Sequence, residues 1–257
     1  MNRYILGQAL CGLAVFFAHA ATAEAGAFSV DPVRITLSAK QPVAAITVRN
    51  TGAEPTLVQL EASRWSQADG QEVLTASNEV LATPPIFTIP AGGAQIIRVG
   101  LRRAPDVQTE LTYRLVLREV PPAGPLAQGL RLTLQISMPI FVQPAAAAAP
   151  ALHWRAMRTR EGQIRLFASN SGNAHVQLGE LKLALAANGQ PVGAHSTAEY
   201  VLPNNSRTWI VNAQPAPAVG TLLRVFSQTD AGKVQSDVAL ENDTAEFTSA
   251  APATAAR

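Results

Sequence analysis

One stretch constrains the fold more than any other: GLRLTLQISMPIFV, residues 129–142. Apolar side chains fall on alternate positions at Leu130, Leu132, Leu134 and Ile136, with Arg131, Thr133, Gln135 and Ser137 between them. That period of two puts four aliphatic groups on one face of a β-strand. From Met138 to Val142 the run is apolar on both faces, as in a strand buried on both sides. An ordinary strand has about 5–6 residues, whereas this one could reach about 45 Å. Its second half reads as core. Its first half is an excess that something else must cover.

The beginning of the chain is set aside before the fold is considered. Arg3 precedes an apolar run over residues 5–18, and Ala18-His19-Ala20 and Ala21-Thr22-Ala23 supply small residues. This pattern predicts a secretory signal peptide over residues 1–23, with cleavage after Ala20, Ala23 or Ala25. The run is too short for a stable membrane span, and no later segment holds about 18 uninterrupted apolar residues. Cys11, the only cysteine, lies in this leader and too early for a lipid anchor. The exported remainder must therefore be held by its core rather than by disulfides.

Charge and histidine content exclude several classes. A net charge of +2 with scattered basic residues gives no electrostatic footprint for nucleic acid. His19 leaves with the leader, and His153, His175 and His195 show no metal-ligand spacing, so neither a metal nor a cofactor is expected.

Short alternating segments follow at 28–37, 43–49, 56–65, 86–88, 95–101, 111–120 and 130–142, separated by turns rich in Gly, Pro, Asn and Asp. They predict a β-sandwich over residues 26–144. The proline-bounded PAAAAAP supplies a linker at 145–150. A second series at 154–157, 163–169, 175–186, 199–201, 206–211, 222–228 and 233–240 predicts a second all-β domain over 151–240. Residues 241–257, largely alanine, threonine and acidic residues, are expected to be a disordered tail.

Four segments carry a resemblance: FSVDPVRITL, LATPPIFTIPAGGAQIIRV, YRLVLREVPP and LRLTLQISMPIFVQP, in that order. Together they resemble the periplasmic chaperones of the fimbrial chaperone–usher pathway. Pro139 in MPIFVQP looks more like the alternative (archaic or sigma-type) branch than the P-pilus branch. The resemblance implies a boomerang of two immunoglobulin-like β-sandwiches with a cleft between them. It implies a periplasmic protein whose partners are fimbrial subunits (pilins) and an outer-membrane usher. A subunit in this pathway lacks its last strand, and the chaperone lends one, a donor-strand arrangement that is a known case of strand addition. Here the lent side chains would be Leu130, Leu132, Leu134 and Ile136. Four fully buried aliphatic groups contribute about 6–12 kcal/mol before ordering costs.

The resemblance also assigns charged positions. Arg34 would bind the subunit's terminal carboxylate, a task suited to a planar fork that gives two charge-assisted hydrogen bonds. The lysine that partners it in the P-pilus type is replaced by Pro139, leaving Arg114 or Arg118 as substitutes. Arg98, Glu110 and Asp230 match an inter-domain ion-pair network. Pro84 and Pro85, within Thr83-Pro84-Pro85, are usher-contact candidates, though rigid turn geometry explains them equally well.

Two other classes compete. An enzyme finds no support: G-x-S-x-G, a phosphate loop and H-E-x-x-H are all absent from the sequence. An exported fimbrial subunit or adhesive module is the better alternative. Such a subunit would carry an alternating N-terminal extension and lack its final strand, whereas here residues 24–27 are too short and the final strand is the longest. A lent apolar edge is also open to self-capping in a homodimer.

Overall fold

The computed structural model describes residues 28–68, 70–121, 132–213 and 217–243, which form eighteen strands and no helix. The expected leader therefore lies outside the described residues, as does Leu130.

The first sandwich contains β1 (Phe28–Asp31), β2 (Ile35–Leu37), β3 (Val43–Asn50), β4 (Thr56–Ala68), β5 (Gln71–Ala76), β6 (Val80–Thr83), β7 (Ile86–Ile89), β8 (Ala94–Leu101), β9 (Leu111–Val120) and β10 (Gln135–Val142). One sheet runs β1-β3-β8-β6, and the other runs β2-β10-β9-β4-β5 with β7 beside β4. Alternation decides which side chains meet. Ile46, Val48, Ile97 and Val99 point inward from the first sheet, and Leu115, Leu117, Met138 and Ile140 from the second. Each aliphatic group buried in this way stabilises the sandwich by roughly 1.5–3 kcal/mol.

The predicted strand at 28–37 is broken into two. β1 pairs antiparallel with β3, whereas β2 pairs parallel with the end of β10, so the chain changes sheets across residues 32–34. Pro32 has no N–H to continue the first ladder. Two strands of this half escape sequence reading. All six residues of β5 are exposed, leaving no alternation to detect, and β6 has only four residues.

The second sandwich contains β11 (Leu152–Arg158), β12 (Ile164–Asn170), β13 (Val176–Leu185), β14 (Pro191–His195), β15 (Tyr200–Val201), β16 (Asn205–Val211), β17 (Leu222–Thr229) and β18 (Gly232–Asn242). These strands form one continuous sheet, β14-β13-β17-β18-β11-β12-β16, with β15 beside β13. The sheet folds over so that its ends approach each other, enclosing Leu166, Leu178, Leu183, Trp209, Leu223 and Val225. Residues 241–243, placed in the expected tail, are instead tied to the second sandwich. Glu241 and Asn242 continue the parallel ladder with β11, and Arg165 clasps Asp243 at 2.7 Å.

Both sandwiches solve one turn in the same way. Asn50 and Asn170 each end a strand in an Asn-x-Gly turn, with the side-chain oxygen accepting from the glycine N–H two residues on. Each amide nitrogen donates to two carbonyls, Glu54 and Ile89 in one case and Ala174 and Val201 in the other. In the second sandwich this turn also holds the linker. Asn170 and Asn173 accept from Ala151 N–H and Ala149 N–H, and Asn173 donates to the carbonyls of Gln108 and Ala147. Linker N–H groups at Ala145 and Ala146 reach Asp106 and Val107 of the first sandwich. The alanine run is therefore strapped down at both ends.

Candidate functional site

The opening stretch splits as its pattern predicts, but the strand is shorter. β10 starts at Gln135, and Met138 through Val142 are all buried. Its last three residues pair with β9 on one side and β2 on the other. From Gln135 to Pro139, among the described residues, β10 pairs with β9 alone, so one edge of backbone N–H and C=O groups is open. Leu134 continues this one-sided pairing through its carbonyl, which accepts from Glu119 N–H, while its own N–H donates to the Glu119 carboxylate. Leu134 and Ile136 lean partly on the sandwich core, whereas Leu132 is 53% exposed. The open edge thus carries aliphatic groups that its own domain only partly covers. The two-sided pairing at the end of β10 also shows that this sandwich keeps its last strand, unlike the exported-subunit alternative.

Beside that edge the two sandwiches meet at a cleft lined by Arg34, Glu110, Phe141, Gln143, His175 and Asp230. Its floor is aromatic. Trp65 and Phe141 project from the outer face of the first sandwich and are covered by Tyr200 and Leu202 of the second. Gln67 fastens the contact, donating to the Tyr200 carbonyl at 2.8 Å and accepting from Leu202 N–H at 3.0 Å.

A chain of charges lies above this floor. Arg34 spends its fork on the second sandwich, with Nη1 2.9 Å from Asp230 Oδ2 and Nη2 2.8 Å from Gln177 Oε1. His175 stacks on Phe141, with centroids 3.4 Å apart and planes at 7°. Its Nδ1 lies 2.7 Å from Glu110 Oε1 and its Nε2 lies 3.4 Å from Asp230 Oδ2. Glu110 is buried and also accepts from His175 N–H at 3.1 Å. Burial alone would raise the Asp230 pKa, but His175, the Gln177 N–H and Arg34 outweigh it and hold the carboxyl down at about 2.

Glu110 and Asp230 are thus linked across the domain boundary through the His175 ring, and Arg98 does not join them. Ile97 and Val99 face the core, so Arg98 between them points outward from the opposite sheet, beside Ala45 and Thr83. The basic side chains of the network are Arg34 and His175. Sequence reading treated His175 only as an unsuitable metal ligand. The available signal was its position: it follows the Asn170–Asn173 turn and sits two residues before Gln177, on the same outward face of the chain.

Of the two substitutes for the missing lysine, Arg114 is the cross-strand partner of Pro139. It is 12% exposed, stacks 3.8 Å over Trp65 and donates to Glu72 at 2.8 Å. Arg118 is 51% exposed, near Glu61 and Gln135, two pleat repeats along β9 from Arg114 and further from the cleft. Pro84 and Pro85 join β6 to β7, and the Pro85 carbonyl accepts from Leu60 N–H. Ile86 beside them is exposed.

Residues 27–148 match the family described as pili and flagellar-assembly chaperone, PapD N-terminal domain. The chain is 22% identical over 169 residues to the uncharacterized fimbrial chaperone YhcA of Escherichia coli K12, covering 66% of this chain and 71% of YhcA. It is 28% identical over 164 residues to the chaperone PmfD of Proteus mirabilis, covering 60% and 61%. It is 28% identical over 126 residues to PapD of Escherichia coli, covering 47% and 50%. Among solved structures, it is similar to the archaic CsuC–CsuE chaperone–tip subunit complex of Acinetobacter baumannii, with TM-score 0.64, 20% identity and coverage of 84% and 100%. The SafB chaperone in complex with the SafA pilin of Salmonella enterica gives a TM-score of 0.58 at 19% identity, covering 84% and 98%. The fold and these relatives agree with the family match: residues 27–148 are a pilus-assembly chaperone N-terminal domain, and the chain as a whole is similar to fimbrial chaperones.

Proposed function

We propose that this protein acts in the periplasm, captures fimbrial subunits by lending them the free edge of β10, and delivers them to an outer-membrane usher. The observation that carries this reading is the one-sided pairing of β10 from Gln135 to Pro139, continued by exposed Leu132. An incoming subunit groove gains a ladder of backbone hydrogen bonds and receives Leu132, Leu134 and Ile136 in turn, with Leu130 as the outermost side chain. Capture needs no nucleotide and no catalytic step, because the new contacts supply the free energy.

Arg34 anchors the subunit's terminal carboxylate in this reading, which fixes the register of the lent strand. Its fork is held by Asp230 and Gln177 in the free chain, so the carboxylate takes over one of these bonds. Arg114, beneath Pro139, is better placed than Arg118 to add a second positive charge. Glu110 and Asp230 hold the two sandwiches together at the cleft. Pro84 and Pro85, with exposed Ile86, form part of the usher-facing surface. The domain division at 26–144, 145–150 and 151–240 belongs to the same proposal, as does relatedness to the archaic branch.

The test is periplasmic co-expression with a fimbrial subunit encoded beside this gene, followed by affinity pull-down. A stable one-to-one complex that is lost with Leu132→Glu supports strand donation. Normal capture by a folded Leu132→Glu variant would sink it. Leu132 is a cleaner probe than Leu134 or Ile136, which also lean on the chaperone's own core.

A further inference from the structure

The contacts that close the cleft include one histidine, the side chain whose ordinary titration spans neutral pH. Each ring nitrogen of His175 faces a carboxylate: Nδ1 faces Glu110 from the first sandwich and Nε2 faces Asp230 from the second. A neutral imidazole has one N–H donor and one lone pair, so it can satisfy only one of them. The imidazolium donates to both.

We infer that His175 is a positioning residue whose proton locks the two sandwiches at their cleft, making the angle between them responsive to pH. The surroundings favour the charged ring from several elements. Glu110 faces it from the entry to β9, and Asp230 from the turn between β17 and β18. Arg34, before β2, is a second cation, but it reaches the ring only through the Asp230 oxygen that both share. Phe141 of β10 supplies the stacking face, and Tyr200 of β15 lies 5.6 Å away between ring centroids. Gln177 of β13 completes the arrangement by donating its N–H to Asp230 Oδ1.

Burial pulls the His175 pKa down, but hydrogen bonds and charge from Asp230 and Glu110 outweigh it, so the folded value lies above the ordinary 6.5. A folded pKa above the unfolded one gives the sign. The lock is complete below about pH 6.5 and is lost as pH rises through the folded value. When the proton leaves, a lone pair is turned toward Glu110 or Asp230. The clasp then rests on Arg34, on the bonds of Glu110 to the main chain of His175 and Asn173, and on the Gln67–Tyr200 and Glu72–Arg207 contacts. The lock stands apart from the capture reading, while its effect on subunit capture rests on that reading.

The experiment pairs two measurements in a Cys11→Ser background, which leaves the chain free of other cysteines. Cysteines introduced at Thr88 and Ala187, both exposed and on different sandwiches, carry a donor–acceptor dye pair. Inter-dye distance distributions are recorded from pH 5.5 to 8.5, beside an NMR titration of the histidine rings. His175 is expected to titrate above pH 6.5, with the distance distribution broadening over the same interval. His175→Arg, which keeps a planar cation against Phe141, stays narrow throughout, and His175→Gln stays broad throughout. A His175 midpoint below 6.5, or a distribution unchanged while the ring titrates, overturns the lock. These two wild-type readings decide the matter even where a variant fails to fold. A chain that shows the lock but captures no neighbouring subunit retires the capture reading alone.

Discussion

Residues 132–137 and residues 138–142 belong to one unbroken stretch of chain, yet they end in different situations. Met138 to Val142 are buried, with the last three paired on both sides. The preceding residues pair on one side only, and their aliphatic groups remain partly or wholly exposed. Hydrophobicity alone does not separate the halves, since Leu132 is as apolar as Ile140. What separates them is whether a neighbouring strand is present, and β2 covers only Ile140 to Val142. One half stabilises this chain, and the other keeps one edge without a neighbouring strand among the described residues.

Truncations sharpen that contrast most strongly. Ile140→Ala should lower the unfolding free energy by about 2–5 kcal/mol, because the lost contacts leave a cavity in a closed core. Leu132→Ala should change it by less than about 0.5 kcal/mol, as exposed positions usually do. Chemical denaturation of both variants measures the difference. Equal losses would mean that residue 132 belongs to the chaperone's own core.

Gly172→Ala is the next largest effect. A Cβ there would sit 2.3 Å from the Ala149 carbonyl and 2.5 Å from the Ala151 nitrogen, both backbone atoms of the linker strap. The linker must shift, at a cost of about 1–3 kcal/mol. Faster proteolysis within the linker, with both sandwiches surviving intact, is the expected readout.

A smaller term appears in acid. Because the Asp230 pKa is held at about 2, below the ordinary 3.8, its contribution is present above the unfolded value and is lost as pH falls through the folded one. Allowing for solvent screening, it is worth roughly 1–2 kcal/mol. Asp230→Asn should remove that part of the stability difference between pH 5 and pH 2, measured by thermal unfolding across the series. The smallest effect is expected at Arg118, whose exposed pairing with Glu61 is worth under about 0.5 kcal/mol. Arg118→Ala should leave both stability and capture unchanged, whereas a marked loss of capture would move the second anchor from Arg114 to Arg118.

The sequence makes the two halves of the 130–142 segment legible because alternation and continuous apolarity are local signals. It also draws Glu110 and Asp230, 120 positions apart, to one cleft through the resemblance rather than through spacing, but not the His175 that lies between them. It fails where a contact depends on which sheet a strand joins. Arg98 and Glu110 lie near each other in the chain, but β8 and β9 belong to opposite sheets, so their side chains diverge. His175 is hard to read because its position, two residues before Gln177, is a weak signal, and only the closed cleft brings Glu110 to it beside Asp230. The strand at β5 was missed because it buries nothing.

The central claim is that the free edge of β10 is lent to a subunit. Hydrogen exchange at the backbone amides of residues 135–138, compared between the free chaperone and its complex with a neighbouring fimbrial subunit, tests it most directly. The account predicts strong new protection of outward-facing amides there on binding, with little change at Ile140 to Val142, which are already paired on both sides. Unchanged exchange along residues 135–138 in a stable complex would contradict it and place the subunit on another surface.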